Sequence, residues 1–201
     1  MKRRILCLAL LTALLVLPAG FSPAESQTIP SIRDTMTEEK PRFSFRNGIQ
    51  WGMSPEQVRA SETVEMTERS SGEWSVMVTA SPVEVSRFSA DLVFMFQTNA
   101  LQMITYEFQQ HESSLNYQYL TGALCAVYGE SAEANASEIK GYMDRIYQDR
   151  YRLDWINRAL VWNHEDGTRI FLYYFSGDAF AILYVNPEMA GKSGGYLING
   201  L

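Results

Sequence analysis

Apolar residues along the chain change period several times, and each change predicts an element. Val76 and Val78 alternate with polar neighbours over 74–80, the period of a strand with one solvated face. Leu92–Phe96 and Leu101–Phe108 are apolar runs flanking Thr98-Asn99, which reads as a hairpin turn. A later group, 159–164, 168–175 and 179–185, is joined by Asp166-Gly167 and then by Ser176-Gly177-Asp178. Asp-Gly between apolar runs is a strong signal for a two-residue hairpin loop, because both residues tolerate the positive φ angles it needs.

Helical signals lie between these runs. Ser54-Pro55-Glu56-Gln57 joins a capping serine, proline at the first helical position and glutamine three after the cap. That combination is a capping box, and it predicts a short helix ending near Glu62 with Val58 inward. A second helix is predicted over Ser114–Tyr128. Leu115, Tyr119, Ala123 and Val127 form its expected inner stripe, Leu120 and Leu124 widen it, and Gly129 stops it. A third, at about 137–152, turns Ile139, Met143, Ile146 and Tyr147 inward. Its outer side carries the opposite-charge pairs Lys140–Asp144, Arg145–Asp149 and Arg150–Asp154.

Strands following each of the first two helices predict an α+β fold, an antiparallel sheet with helices packed on one face. Laid over one another, the halves 46–110 and 113–186 match Phe96 with Phe175 and Leu101 with Phe180. Leu92 then meets Phe171, and Phe94 meets Tyr173. The match predicts a tandem helix–three-strand repeat with the third helix inserted in the second half. The plainer reading is that many hairpins share this spacing.

The chain has 201 residues, 46% of them hydrophobic and 20% charged, which suits a single folded domain. Lys2-Arg3-Arg4 precedes the apolar run Ile5–Leu17, which is too short to cross a hydrocarbon core and reads as a secretory signal peptide. Cleavage is expected after Ala24, with Ala19 as the alternative. Residues 25–42 are polar and aperiodic, a flexible spacer; 187–201 read as a loose tail, leaving 43–186 as the domain. No later stretch has the length of a transmembrane helix.

Net charge is −6, and removing the basic leader makes it more negative. Such a surface repels phosphate backbones, so no nucleic-acid partner is expected. Cys125 remains as the one cysteine of the exported chain, without a partner for an internal disulfide, and reads as a packed helical side chain.

Catalytic signals are few. His111 and His164 form no H-E-x-x-H pair, and no G-x-S-x-G occurs. His164-Glu165-Asp166 groups three ligand-type side chains, but it runs into the Asp166-Gly167 turn, where polar residues are expected anyway. Gly191-Lys192-Ser193 lacks the earlier glycine of a phosphate loop. Asn135-Ala136-Ser137 accepts a glycan only in a host that attaches one. No catalytic residue, metal site or cofactor is predicted.

Aromatic strand surface is more prominent. Phe171, Tyr173, Phe175 and Leu183 share one face of the last hairpin, and Ile170, Leu172, Tyr174, Phe180, Ile182 and Tyr184 share the other. A two-residue Asp166-Gly167 loop sets Trp162 opposite Phe171. Both faces are more apolar than a half-solvated sheet requires. Either the aromatics are core, or one face is open and Phe94, Trp162 and Tyr173 contact a partner.

Gly48-Ile49-Gln50-Trp51-Gly52-Met53-Ser54-Pro55-Glu56-Gln57-Val58, with the later Tyr128-Gly129, resembles a motif of exported bacterial proteins. It is similar to that of the superfamily containing β-lactamase inhibitor proteins and the small outer-membrane assembly lipoprotein. The resemblance implies an α+β fold of tandem helix–sheet repeats acting by protein binding. The lipid-bearing cysteine and the disulfides of those proteins have no counterpart here. The expectation is therefore an exported, non-catalytic module that binds a protein or cell-envelope component. Its rivals are a hydrolase using His164 with Glu165 or Asp166, and an extracytoplasmic sensor of small ligands.

Overall fold

A computed structural model describes residues 42–108, 114–147, 156–175 and 179–193. The leader, most of the spacer, His111, the Arg150–Asp154 pair and the Ser176–Asp178 turn lie outside the described residues. After a single 3-10 turn at Arg46–Gly48, the chain forms α1 (Pro55–Ser61), β1 (Met66–Ser71), β2 (Trp74–Thr79), β3 (Val83–Val85), β4 (Phe88–Gln97) and β5 (Ala100–Phe108). There follow α2 (Ser114–Tyr128), β6 (Ala132–Glu133), α3 (Ala136–Tyr147), β7 (Ile156–Asn163), β8 (Arg169–Phe175), β9 (Phe180–Val185) and α4 (Pro187–Ser193).

The fold is α+β. All nine strands belong to one antiparallel sheet ordered β1-β2-β4-β5-β9-β8-β7-β6, with β3 also paired to β4. The seam lies at β5–β9, where Tyr106 faces Ile182. Outward from it run β4, β2 and β1 on one side and β8, β7 and β6 on the other. The two hairpins at the centre, β4–β5 and β8–β9, carry Phe96, Leu101, Phe175 and Phe180 at their turn ends.

Local chemistry explains most boundaries. Ser54 Oγ accepts the Gln57 N–H at 3.3 Å while Gln57 Oε1 accepts the Ser54 N–H at 2.8 Å, the complete capping box. Thr98 and Asn99, with φ of 48° and 65°, form the two-residue turn between β4 and β5, a mirror-image turn matching strand twist. Gly129, at φ 84°, closes α2 by donating its N–H to Cys125 O.

The β7–β8 hairpin differs from expectation. His164 N–H bonds Thr168 O at 2.8 Å and Gly167 N–H bonds His164 O at 2.9 Å, so the loop holds three residues, Glu165 to Gly167. Gly167 takes φ 94°, the left-handed position that ends such a loop. One extra loop residue shifts the register by one and exchanges the faces of β7. Trp162 therefore faces Ile170, and Val161 faces Phe171.

Helices cover both sides of the sheet. On the first, Val58 of α1 and Tyr117, Leu120 and Leu124 of α2 pack with Phe94, Ile104, Trp162, Leu172 and Ile182. The segment 42–53 joins them, with Phe43, Phe45 and Ile49 buried. It is held to the β5 bulge by Gly52 N–H to Leu101 O and Leu101 N–H to Met53 O. On the second side, Ile139, Tyr142 and Met143 of α3 and Met189 of α4 cover Phe171, Tyr173, Leu183 and Val185.

Helix α4 lies where a loose tail is expected. Asn186 Oδ1 accepts the Glu188 N–H at 3.0 Å, and Pro187 occupies the first helical position, the same start signal that opens α1. The polar edge strand β1 has no apolar alternation to reveal it. It pairs with β2 alone and leaves nearly all its side chains in solvent. Among the described residues no helix is long and apolar enough to cross a membrane.

Candidate docking surface

The three residues expected to meet a partner are core. Phe94, Trp162 and Tyr173 are each 0% exposed. Phe94 stands edge-on to Phe45 with ring centroids 6.2 Å apart. Trp162, moved to the first side by the three-residue loop, donates its indole N–H to Gly129 O at 3.0 Å. Tyr173 lies beneath the α3 side. A partner has no access to these rings: α1, α2 and the segment 42–53 cover Phe94 and Trp162, and α3 and α4 cover Tyr173.

The histidine cluster is an anchor. Asp166 Oδ2 accepts the Phe43 N–H at 2.8 Å, and Oδ1 accepts the Thr168 N–H at 2.9 Å and lies 2.9 Å from His164 Nδ1. Thr168 Oγ1 in turn accepts the Trp51 indole N–H at 2.8 Å. Burial raises the Asp166 carboxyl, but the bonds from Phe43, Thr168 and His164 outweigh it and hold the group below its usual range. Phe43 packs on the imidazole edge at 5.7 Å and Tyr128 at 6.5 Å. The constellation ties the segment 42–53 to the β7–β8 loop, and its bonds to backbone N–H groups are those of a structural carboxylate.

A second polar group lies on the same side. The Glu62 side chain is fully buried with Arg46 Nε 3.1 Å from Oε1. Burial pushes the Glu62 carboxyl up, against the pull of Arg46 and Asn47. Nearby, burial raises the Tyr106 phenol to about 12 and the Tyr184 phenol well above its ordinary value. These hydroxyls stay neutral through the physiological range, which suits structural bonds and not proton transfer. On the opposite side of the sheet, Glu107 faces Asp91 across the β4–β5 ladder, and burial followed by Asp91 raises its carboxyl. Among the described residues no three His, Cys, Asp or Glu side chains come together in a way that could hold a metal.

Exposed apolar surface collects elsewhere. The large hydrophobic side chains that stand exposed among the described residues are Leu115 at 67%, Tyr119 at 43% and Val127 at 71%, all on α2. Gly122, Ala123 and Ala126, also exposed, continue the same outward surface. The expected inner stripe is thus the outer one. Steps of four residues overshoot a 3.6-residue turn and slide around the helix, whereas Tyr117, Leu120, Leu124 and Tyr128 follow the true period and pack inward. That series was present in the sequence, and its closer fit to the helical period is the signal that marks the buried side.

Helix α2 carries no Asp, Glu, Lys or Arg in its fifteen residues. Several side-chain contacts hold its first half. Arg87 donates to Asn116 Oδ1 at 3.0 Å with its guanidinium 4.3 Å from the Tyr119 ring centre, and the Tyr119 hydroxyl lies 2.9 Å from Ser86 Oγ. Tyr117 OH bonds Leu172 O at 3.3 Å, and Cys125, a free thiol, is half-buried at the flank. These contacts hold the rod in place and cover part of the Tyr119 ring, while Leu115 and Val127 stay outward.

The chain matches no protein-family model, no curated protein and no solved structure.

Proposed function

We propose that this protein is an exported, non-catalytic protein-binding module, and that the outward side of α2 is its docking surface. The carrying observation is that Leu115, Tyr119 and Val127 are exposed together on one helix without charge. Several large apolar groups left exposed along one helix favour an interaction site over the scattered single ones that need no explanation. Export rests on the basic and apolar leader at residues 2–17, and the inhibitor-like or assembly-lipoprotein-like resemblance of Gly48–Val58 agrees with a binding role. The described polar clusters favour no hydrolytic reading, because His164 and Asp166 spend their bonds on the loop and the segment 42–53.

The test uses the exported chain immobilised as bait, with and without Leu115→Asp and Val127→Asp together. Both positions are exposed, so near-ultraviolet circular dichroism and melting temperature should stay as they were. Proteins retained by the unsubstituted bait should be lost by the variant. Equal retention by both would move the binding site off α2, and a hydrolytic activity lost in His164→Ala would overturn the non-catalytic reading.

A further inference from the structure

We propose that residues 44–51 act as a strap whose middle lifts from the sheet as pH rises toward neutral, and that Glu62 is the group that releases it. The strap is pinned at its two ends. Asp166 holds the Phe43 N–H, and Leu101 holds the Gly52 N–H and the Met53 carbonyl. Between those pins, the backbone bonds of residues 44–51 among the described residues close within the segment itself. They run from Phe45 N–H to Ile49 O at 2.8 Å, Gly48 N–H to Phe45 O at 3.2 Å and Ile49 N–H to Arg46 O at 3.3 Å. Side chains tie the middle to the rest of the fold: Phe45 and Ile49 by burial, Trp51 through Thr168, and Arg46 through Glu62. A segment held in this way opens locally while the sheet stays folded.

The tie through Arg46 carries the release. The Glu62 side chain is 0% exposed, and neither of its oxygens meets a well-directed hydrogen-bond donor among the described residues. Arg46 Nε, 3.1 Å from Oε1, therefore supplies charge without a good bond. A buried carboxylate paired so poorly is destabilising when ionised and tolerated when protonated. The groups around it add no second cation. Arg59, one turn earlier on α1, is engaged with Glu68 at 2.9 Å, and Tyr106 of β5 faces both Arg46 and Glu62. Tyr128 of α2 and Tyr184 of β9 stand beside Tyr106, and burial keeps all three phenols neutral. Burial also raises the Glu62 carboxyl above 4.5, against the pull of Arg46 and Asn47. Lifting the strap returns Glu62 to water and so releases a proton. The closed form is favoured below pH 4.5 and loses that advantage as pH rises through the raised value. Asp166 has the opposite sign: its carboxyl is held below its usual range, so the pin at Phe43 stays made as pH rises. The lifted middle uncovers the rings of Phe94, Tyr106 and Tyr184, against which Phe45 packs at 6.2, 5.5 and 5.4 Å.

Amide exchange of the purified exported chain between pH 4 and pH 7, corrected for the intrinsic pH dependence of exchange, tests the strap. Opening constants at Phe45 and Ile49 should rise with pH, by up to about tenfold per pH unit where one proton is released. Thr105 and Leu183 at the sheet centre report the whole fold, including any effect of Glu107. Glu62→Gln cannot ionise and should flatten the rise at Phe45 and Ile49. Arg46→Gln leaves the carboxyl without its cation and should extend the rise to higher pH. An ion pair that is merely structural would instead make both variants loosen the strap alike at every pH. That outcome, a parent chain without the rise, or a rise that survives in Glu62→Gln would each overturn the proposal.

Discussion

The indole N–H of Trp162 meets the carbonyl oxygen of Gly129 at 3.0 Å, joining the sheet to the residue that ends α2. One side chain thus fills the core between sheet and helix and also satisfies a carbonyl at a helix terminus. The exposed side chains Leu115, Tyr119 and Val127 are carried by the same helix.

Trp162→Ala should destabilise the fold by about 3–5 kcal/mol, the usual cost of emptying a large core site. Trp162→Phe keeps most of the volume and should cost less, chiefly through the lost bond to Gly129. Urea midpoints for the three proteins check the order. A loss under about 1 kcal/mol for Trp162→Ala, the range of an exposed site, would contradict the burial.

Asp166→Ala removes the acceptor for the N–H groups of Phe43 and Thr168. The expected loss is roughly 1–3 kcal/mol, the range for leaving sheltered donors unpaired. The segment 42–53 should loosen first, read as faster amide exchange at Phe43 and Phe45 while the sheet centre stays protected. Uniform protection would mean that the segment is held by its aromatic packing alone.

Ser54→Ala deletes the side-chain half of the capping box at α1 and should cost about 1 kcal/mol. Gln57→Ala deletes the reciprocal bond to the Ser54 N–H. Because the two bonds share one turn, the double variant should cost less than the two single losses added, as for residues in direct contact. Thermal unfolding of all four proteins measures the coupling.

Glu107 gives a pH dependence of defined sign. Its carboxyl is raised in the folded chain above the ordinary 4.5, by burial first and then by Asp91 across the ladder. The folded state therefore holds that proton more tightly than the unfolded state, and its contribution to stability is lost as pH rises from 4.5 through the raised value. Glu107→Gln cannot ionise, so its advantage over the parent should grow between pH 4 and pH 8 in urea titrations. A constant difference across that range would show that the folded chain does not perturb this carboxyl.

Local signals proved legible wherever one or two turns of chain carry the whole cause. The serine, proline and glutamine at 54–57, the positive-φ pair Thr98-Asn99 and the stop at Gly129 all form as read. Asn186-Pro187 follows the same logic at α4, though its glycine-rich surroundings masked it. Sites were harder to read, because an aromatic residue on a strand has the same sequence signature whether its face is covered or open.

Residues 42–193 thus carried in their order alone the α+β class, the central hairpins and the helix starts, since each follows from hydrogen bonds and dihedral preferences among near neighbours. Tertiary packing decided three further matters: that Glu165–Gly167 makes a three-residue loop and puts Trp162 opposite Ile170, that α3 and α4 cover the second side, and that Leu115, Tyr119 and Val127 look outward. Each is a choice between two faces of an element that is apolar on both. Only the partner layer, brought from a distant part of the chain, can break that tie by excluding water from one of them.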